Sequence, residues 1–191
     1  MEVNRGAVTY VLVDGENLDA TLGTDIFRRK PMPTERPRWE RVVEYFKTHW
    51  GEDVRPLFFL NATSGQLPMP FVQALVALGY RVVPLAGDAG GDEKVVDIGI
   101  QRTLDALARR PGNVVLASHD ADFEPHLRPL LGGRRVALLG FREFVSVRLA
   151  ELESEGLEFV DLELGVQAFN SPLPRLRIIP LREFDPEDFL G

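Results

Sequence analysis

Short apolar runs alternate along this chain with longer stretches in which apolar residues recur every three or four positions. Residues 9–13, 54–60, 81–85, 113–117, 135–139 and 157–162 read as strands. A helix is predicted over residues 14–22. Residues 27–38 carry Pro31, Pro33 and Pro37 and read as a loop. The helix that follows places Trp39, Val42, Val43, Phe46 and Trp50 on one side. The next opens at Pro68 or Pro70 and runs through Leu78 to a stop at Gly79. Residues 88–92 form a glycine-rich loop, a flexible lead-in to a long helix over 93–109 that Pro111-Gly112 ends. Two more helices are predicted over 122–131 and 143–153. Strands alternating with helices in this way argue an α/β fold, a parallel sheet with helices on both faces. Ligands of such sheets sit beyond the carboxyl ends of the strands, near the point where strand order reverses.

Three acidic signatures fall at or near those ends. They are Asp14-Gly15-Glu16-Asn17 after the first strand, Lys94-Val95-Val96-Asp97 at the start of the long helix, and Ser118-His119-Asp120-Ala121-Asp122-Phe123 after the fourth strand. Each has an ordinary structural reading. Asp14 and Asp122 suit helix caps, and Lys94 with Asp97, three apart, suits a surface ion pair of little worth. Yet Asp97 is set among Val95, Val96, Ile98 and Ile100, where a carboxylate needs a partner or a metal. Gathered at one sheet edge, Asp14, Asp97, Asp120 and Asp122 repel each other by about 4 kcal/mol per close pair. A hard divalent cation with oxygen ligands offsets that cost. Asn17 suits a water or phosphate oxygen at such a site, and Glu16 a turn cap or solvent. His119, beside two acids, is either a general base or ligand or a packing neighbour.

Composition narrows the choices. The chain of 191 residues has no cysteine, which excludes disulfides and thiolate metal sites and agrees with a cytoplasmic location. No apolar stretch approaches the ~20 residues of a membrane span. The net charge of −7 lies wholly in residues 151–191, where ten acids face three arginines, so residues 1–150 balance. An acidic total therefore says little against nucleic-acid binding by the body. Arg28, Arg29, Lys30, Arg36, Arg38 and Arg41 face only Glu35 and Glu40 in their segment, either a solvated loop or a guide for a nucleic-acid backbone. Residues 87–91 lack a phosphate-binding loop pattern.

The ordered set VDGEN, KVVDIGI and ASHDADFEPHLRPLLGGRRVALLGF resembles the NYN domain family of the PIN-like nuclease superfamily, in its bacterial LabA/DUF88-like branch. The resemblance covers residues 8–162. It implies a Rossmann-like three-layer α/β/α sandwich with a mostly parallel central sheet. It also implies a Mg²⁺- or Mn²⁺-dependent ribonuclease that uses Asp14, Asp97, Asp120 and Asp122, with Asn17 as polar partner of the first acid and Ser118 as the small hydroxyl residue before the third. Two positions depart from the family pattern: His119 and Val95 each stand where glycine is usual.

The expectation is therefore a nuclease domain over residues 1–164 followed by an acidic, proline-containing extension over 165–191. Within the extension, residues 176–181 suit an edge strand or a partner contact. RNA is the expected partner, with Ser118, His119, Lys94, Arg28, Arg29 and Lys30 as its candidate contacts, and a homodimer is a further expectation. Two rivals remain: a catalytically weak RNA-binding or assembly module of the same fold, and a Toprim-like domain using Glu16 with Asp120 and Asp122.

Overall fold

The structure, a computed structural model, describes residues 7–88, 94–176 and 178–190. Six parallel strands form one sheet in the order β3-β2-β1-β4-β5-β6. They are β1 (Thr9–Asp14), β2 (Val54–Asn61), β3 (Arg81–Leu85), β4 (Asn113–Ala117), β5 (Val136–Gly140) and β6 (Glu158–Asp161). β1 and β4 are adjacent in the sheet but far apart in sequence, with Val13 opposite Ala117. The winding reverses there, so the ends of β1 and β4 flank the crevice where α/β sheets bind ligands.

The apolar runs are buried because both sheet faces are covered. In β1, Val11 and Val13 point to one layer and Leu12 to the other. In β4 and β5 the same alternation sends Val115, Ala117, Ala137 and Leu139 one way and Val114, Leu116, Val136 and Leu138 the other. The first layer holds α1 (Gly15–Ala20), α2 (Trp39–Trp50) and α3 (Met69–Ala77). The second holds α4 (Val95–Leu107), α5 (Glu124–Leu127) and α6 (Val147–Glu151). All five apolar residues expected on one face of α2 are buried.

Several elements differ from the sequence pattern. α1 continues as a π-helix, Thr21–Ile26, whose wider turn keeps Thr21, Leu22 and Ile26 on the buried side. Expected helix 122–131 is broken into a 3-10 turn Ala121–Phe123, α5 and a second 3-10 turn Arg128–Leu130. Pro125 and Pro129 each withhold an N–H from it. Expected helix 143–153 begins only at Val147, where Ser146 accepts the Leu149 N–H at 3.3 Å. The glycine-rich loop keeps Gly87 and Asp88 in view; residues 89–93 lie outside the described residues.

The chain does not leave the body at residue 164. Val166, Ala168, Phe169 and Leu173 join the core layer of α2. Arg38 N–H donates to the Ala168 carbonyl at 2.7 Å, and the Arg41 guanidinium donates to the Gln167 and Phe169 carbonyls. Arg175, 3% exposed, grips Glu143 and Asp161 at 2.6 and 2.7 Å. The expected edge strand over 176–181 is absent among the described residues, of which Arg177 is not one. Leu176 and Ile178 are 88% and 98% exposed, and the sheet ends at β3 and β6. The acids of residues 151–163 are largely neutralised: Glu153 pairs with Arg142, Glu155 with Arg128, Glu158 with Arg135 and Asp161 with Arg175.

Candidate active site

Asp14 ends β1 and caps α1, with its carboxylate 1% exposed. Oδ1 accepts the Asn17 N–H at 3.1 Å and Oδ2 accepts the Ser118 hydroxyl at 3.0 Å. Burial nevertheless dominates and pushes its pKa up to about 6, against those two hydrogen bonds; the charges of Asp97 and Glu16 push the same way. Ser118 Oγ also accepts the Asp120 N–H at 3.3 Å, so one hydroxyl ties the two strand ends together. Asp120 Oδ1 accepts the Asp122 N–H at 2.9 Å, which fixes the turn carrying both acids.

Asp97 comes from the first turn of α4. The buried stripe of Val95, Val96, Ile100, Leu104 and Leu107 seats that helix on the sheet and leaves Asp97 at the crevice. Its pKa is raised, first by burial and then by Asp120. Lys94 Nζ stands 3.5 Å from Asp97, 4.0 Å from Asp120 and 3.6 Å from Asp122. The expected surface pair is thus a shared ammonium facing three carboxylates. Among the described residues Lys94 alone pairs with these three acids, and Asp14 adds a fourth charge that Asp97 feels. Among the described residues no three side chains stand at the spacing of one ion's ligand set. The donor chemistry still fits a hard divalent ion, since every carboxylate contributes oxygen and the charge excess is unpaid by protein cations.

The NYN domain model matches residues 8–163, a span that includes all four acids. The chain belongs to the NYN domain family. No curated protein matches it. The crystal structure of a protein of unknown function from Vibrio parahaemolyticus is similar in fold, with a TM-score of 0.63 and 22% identity over 84% of this chain and 96% of the other. The all-parallel sheet with helices on both faces is accordingly the PIN-like α/β sandwich of this family. A Toprim-like reading has no place for the Asp14–Asn17 and Lys94–Asp97 elements, both inside the NYN span.

Some predicted contacts have other work in this NYN domain. The Asn17 carboxamide oxygen accepts the His119 N–H at 2.9 Å, so Asn17 locks the β4 turn. The ring of His119, a candidate substrate contact, is buried and held within the fold. Its Nε2 accepts the Phe141 N–H at 2.8 Å, its Nδ1 lies 3.4 Å from Thr21 Oγ1, and its ring stacks on Phe141. Accepting at Nε2 places the proton of the neutral ring on Nδ1. Burial lowers its pKa to about 4, so it is uncharged at neutral pH. A Cβ at Gly140 would come within 2.4 Å of His119 Nε2, which is why glycine ends β5. Thr21 and Gly140 were invisible as partners because they meet His119 only through the fold.

The basic segment is also partly committed. Arg29 is bidentate to Glu35 at 2.6 and 2.7 Å, Arg36 meets Asp19, and Arg41 holds the 167–170 backbone and Asn170. Arg28, Arg29 and Lys30 remain together on the wall of a cavity that Glu16 shares.

Proposed function

We propose that this NYN domain is a metal-dependent ribonuclease, an endonuclease acting on RNA phosphodiester bonds, with Asp14, Asp97, Asp120 and Asp122 as its acidic set. One observation carries the reading. Acids from three separate elements meet at the β1–β4 switch point, with a single ammonium among them. Mg²⁺ or Mn²⁺ held by the four aspartates would supply charge to the phosphate and make a water acidic enough to attack it. The chain's own residues prepare that site. Ser118 holds Asp14 and the Asp120 turn in fixed relation. Asp14, whose pKa of about 6 lies below neutral pH, gives up its proton to act as a ligand. Lys94, 66% exposed on its side chain, faces the solvent side, where a phosphate oxygen arrives. Hydrolysis adds water across the P–O3′ bond and leaves a 5′-phosphate and a 3′-hydroxyl.

One observation favours a weaker module that binds RNA without cutting it: Lys94 already sits between Asp97, Asp120 and Asp122. Incubation of mixed RNAs with Mn²⁺ or Mg²⁺, beside Asp14→Asn and Asp120→Asn, separates the two. The nuclease reading expects cleavage that needs the ion and is lost in both variants. Equal cleavage in wild type and variants would remove the assigned site. No cleavage, with no ion binding by calorimetry, would leave the binding module.

A further inference from the structure

A cavity of about 210 Å³ opens among α1, α2 and α3, directly beside the acid-bearing turn. Gly15 and Glu16, the two residues after Asp14, form one wall. Trp39, Phe58, Leu60 and Phe71 form its apolar surface. Trp39 packs edge-to-face on Phe58 at 5.1 Å, and Phe58 on Phe71 at 5.4 Å. Leu60 and Phe71 are only half-buried, so aromatic and aliphatic surface faces outward in the body of the domain. The rim is polar. Arg36 holds Asp19 at 3.3 Å through one terminal nitrogen, while its Nε is buried with no hydrogen-bond partner among the described residues. A buried donor of that kind needs an acceptor, and Asp19 engages only the other nitrogen.

The apolar walls fit one flat heterocycle, with the Arg36 guanidinium at the rim. The cavity is smaller than the roughly 300–1,000 Å³ of drug-sized sites. A second cavity of about 790 Å³ shares Glu16 and Asp19 in its lining and is also bordered by Arg28, Arg29 and Lys30. Arg28 takes a positive φ of 55°, uncommon for a side-chain-bearing residue. Glu16, two residues after Asp14, borders both cavities, so the acid-bearing turn, the apolar cavity and the cationic cavity are neighbours. Single strands are held by just this pairing of stacking surface and cationic track.

We propose that the cavity beneath Glu16 and Arg36 takes one unpaired nucleobase of the strand whose phosphate lies at the acidic set. This rests on the ribonuclease reading and narrows its substrate to RNA with an unpaired nucleotide beside the cut. A base inside a duplex reaches the pocket only after unpairing.

The test is an RNA oligomer carrying 2-aminopurine at one position, titrated with the full chain in EDTA so that no cleavage intervenes. Its fluorescence is expected to fall on saturable binding. Phe71→Ala, which removes a wall, and Leu60→Trp, which fills the cavity, are each expected to weaken binding about ten-fold. The same oligomer with an abasic site should bind wild type as weakly. Circular dichroism confirms that the variants fold; the abasic oligomer tests the pocket without altering the protein. Unchanged fluorescence on binding, or equal affinity for the base-bearing and abasic oligomers, overturns the inference. Cleavage is scored separately. Asp14-dependent cleavage without base-dependent binding removes the pocket and leaves the nuclease. Base-dependent binding without cleavage keeps the pocket and removes the nuclease.

Discussion

Asp14 and His119 are joined through Asn17, yet they titrate in opposite senses. Asp14 has its folded pKa raised from 3.8 to about 6, so the folded state takes up its proton more readily than the unfolded chain. Its burial therefore costs stability above pH 6, and that cost is relieved as pH falls toward 3.8, by about 3 kcal/mol at 1.36 kcal/mol per unit. His119 is lowered from 6.5 to about 4, so its contribution is present above pH 6.5 and lost as pH falls toward 4. The two slopes oppose each other in the wild type. Asp14→Asn is expected to be more stable than wild type at pH 8 without metal, by about 1–3 kcal/mol, and to lose stability steeply between pH 6.5 and 4. Denaturant melts across that range check it; a variant weaker than wild type at pH 8 would contradict the burial argument. His119→Ala should cost about 2–4 kcal/mol, because it orphans the Phe141 N–H and leaves a cavity. If RNA is cleaved, the pH–rate profile of that variant should keep its shape, since His119 transfers no proton. A lost or shifted limb would restore His119 as general base.

At the scale of elements, the strands and α2 were legible because periodicity and burial coincide. The apolar runs are buried on both faces, and Trp39, Val42, Val43, Phe46 and Trp50 recur at helical spacing. The acids were legible too, as Asp14, Asp120 and Asp122 follow strands and Asp97 interrupts an apolar helix start. What sequence spacing could not give is pairing across the sheet. Ser118 meeting Asp14, His119 meeting Phe141 and Lys94 meeting three acids all depend on the β1–β4–β5 order. Helix 122–131 failed for a local reason that was in plain view, since Pro125 and Pro129 recur too closely for a continuous ladder. Lys94 precedes α4 and competes, in charge, with any cation at the acids. Lys94→Gln is therefore expected to bind Mn²⁺ more tightly than wild type by calorimetry, and to cleave RNA more slowly if the ammonium contacts phosphate. Weaker Mn²⁺ binding would instead make Lys94 an organiser of the acids.

The molecule as a whole extends past the family span. The NYN match ends at residue 163, but the first core layer is finished by Val166, Ala168, Phe169 and Leu173. Burying Val166, Phe169 and Leu173 is worth about 1.5–3 kcal/mol each. Arg175 adds a second bond between this segment and the body, for its guanidinium lies 4.9 Å from the Phe141 ring and neutralises Glu143 and Asp161. Removing it takes the cation from partly exposed Glu143 and half-buried Asp161, a loss of about 1–3 kcal/mol. A domain is stable by only about 5–15 kcal/mol in total, so these residues are indispensable, whereas Leu176 and Ile178 bury almost nothing. Truncation after Arg175 or Leu176 should preserve a cooperative melt within a few degrees of the full chain. Truncation after Leu164 should abolish it, and Arg175→Met in the full chain should fall between. Thermal melts and limited proteolysis read all three. A chain ending at Leu164 that melts like the full protein would mean that residues 165–175 are a passenger on the NYN domain, and the Arg175 clamp would then hold down a strap without supporting the fold beneath it.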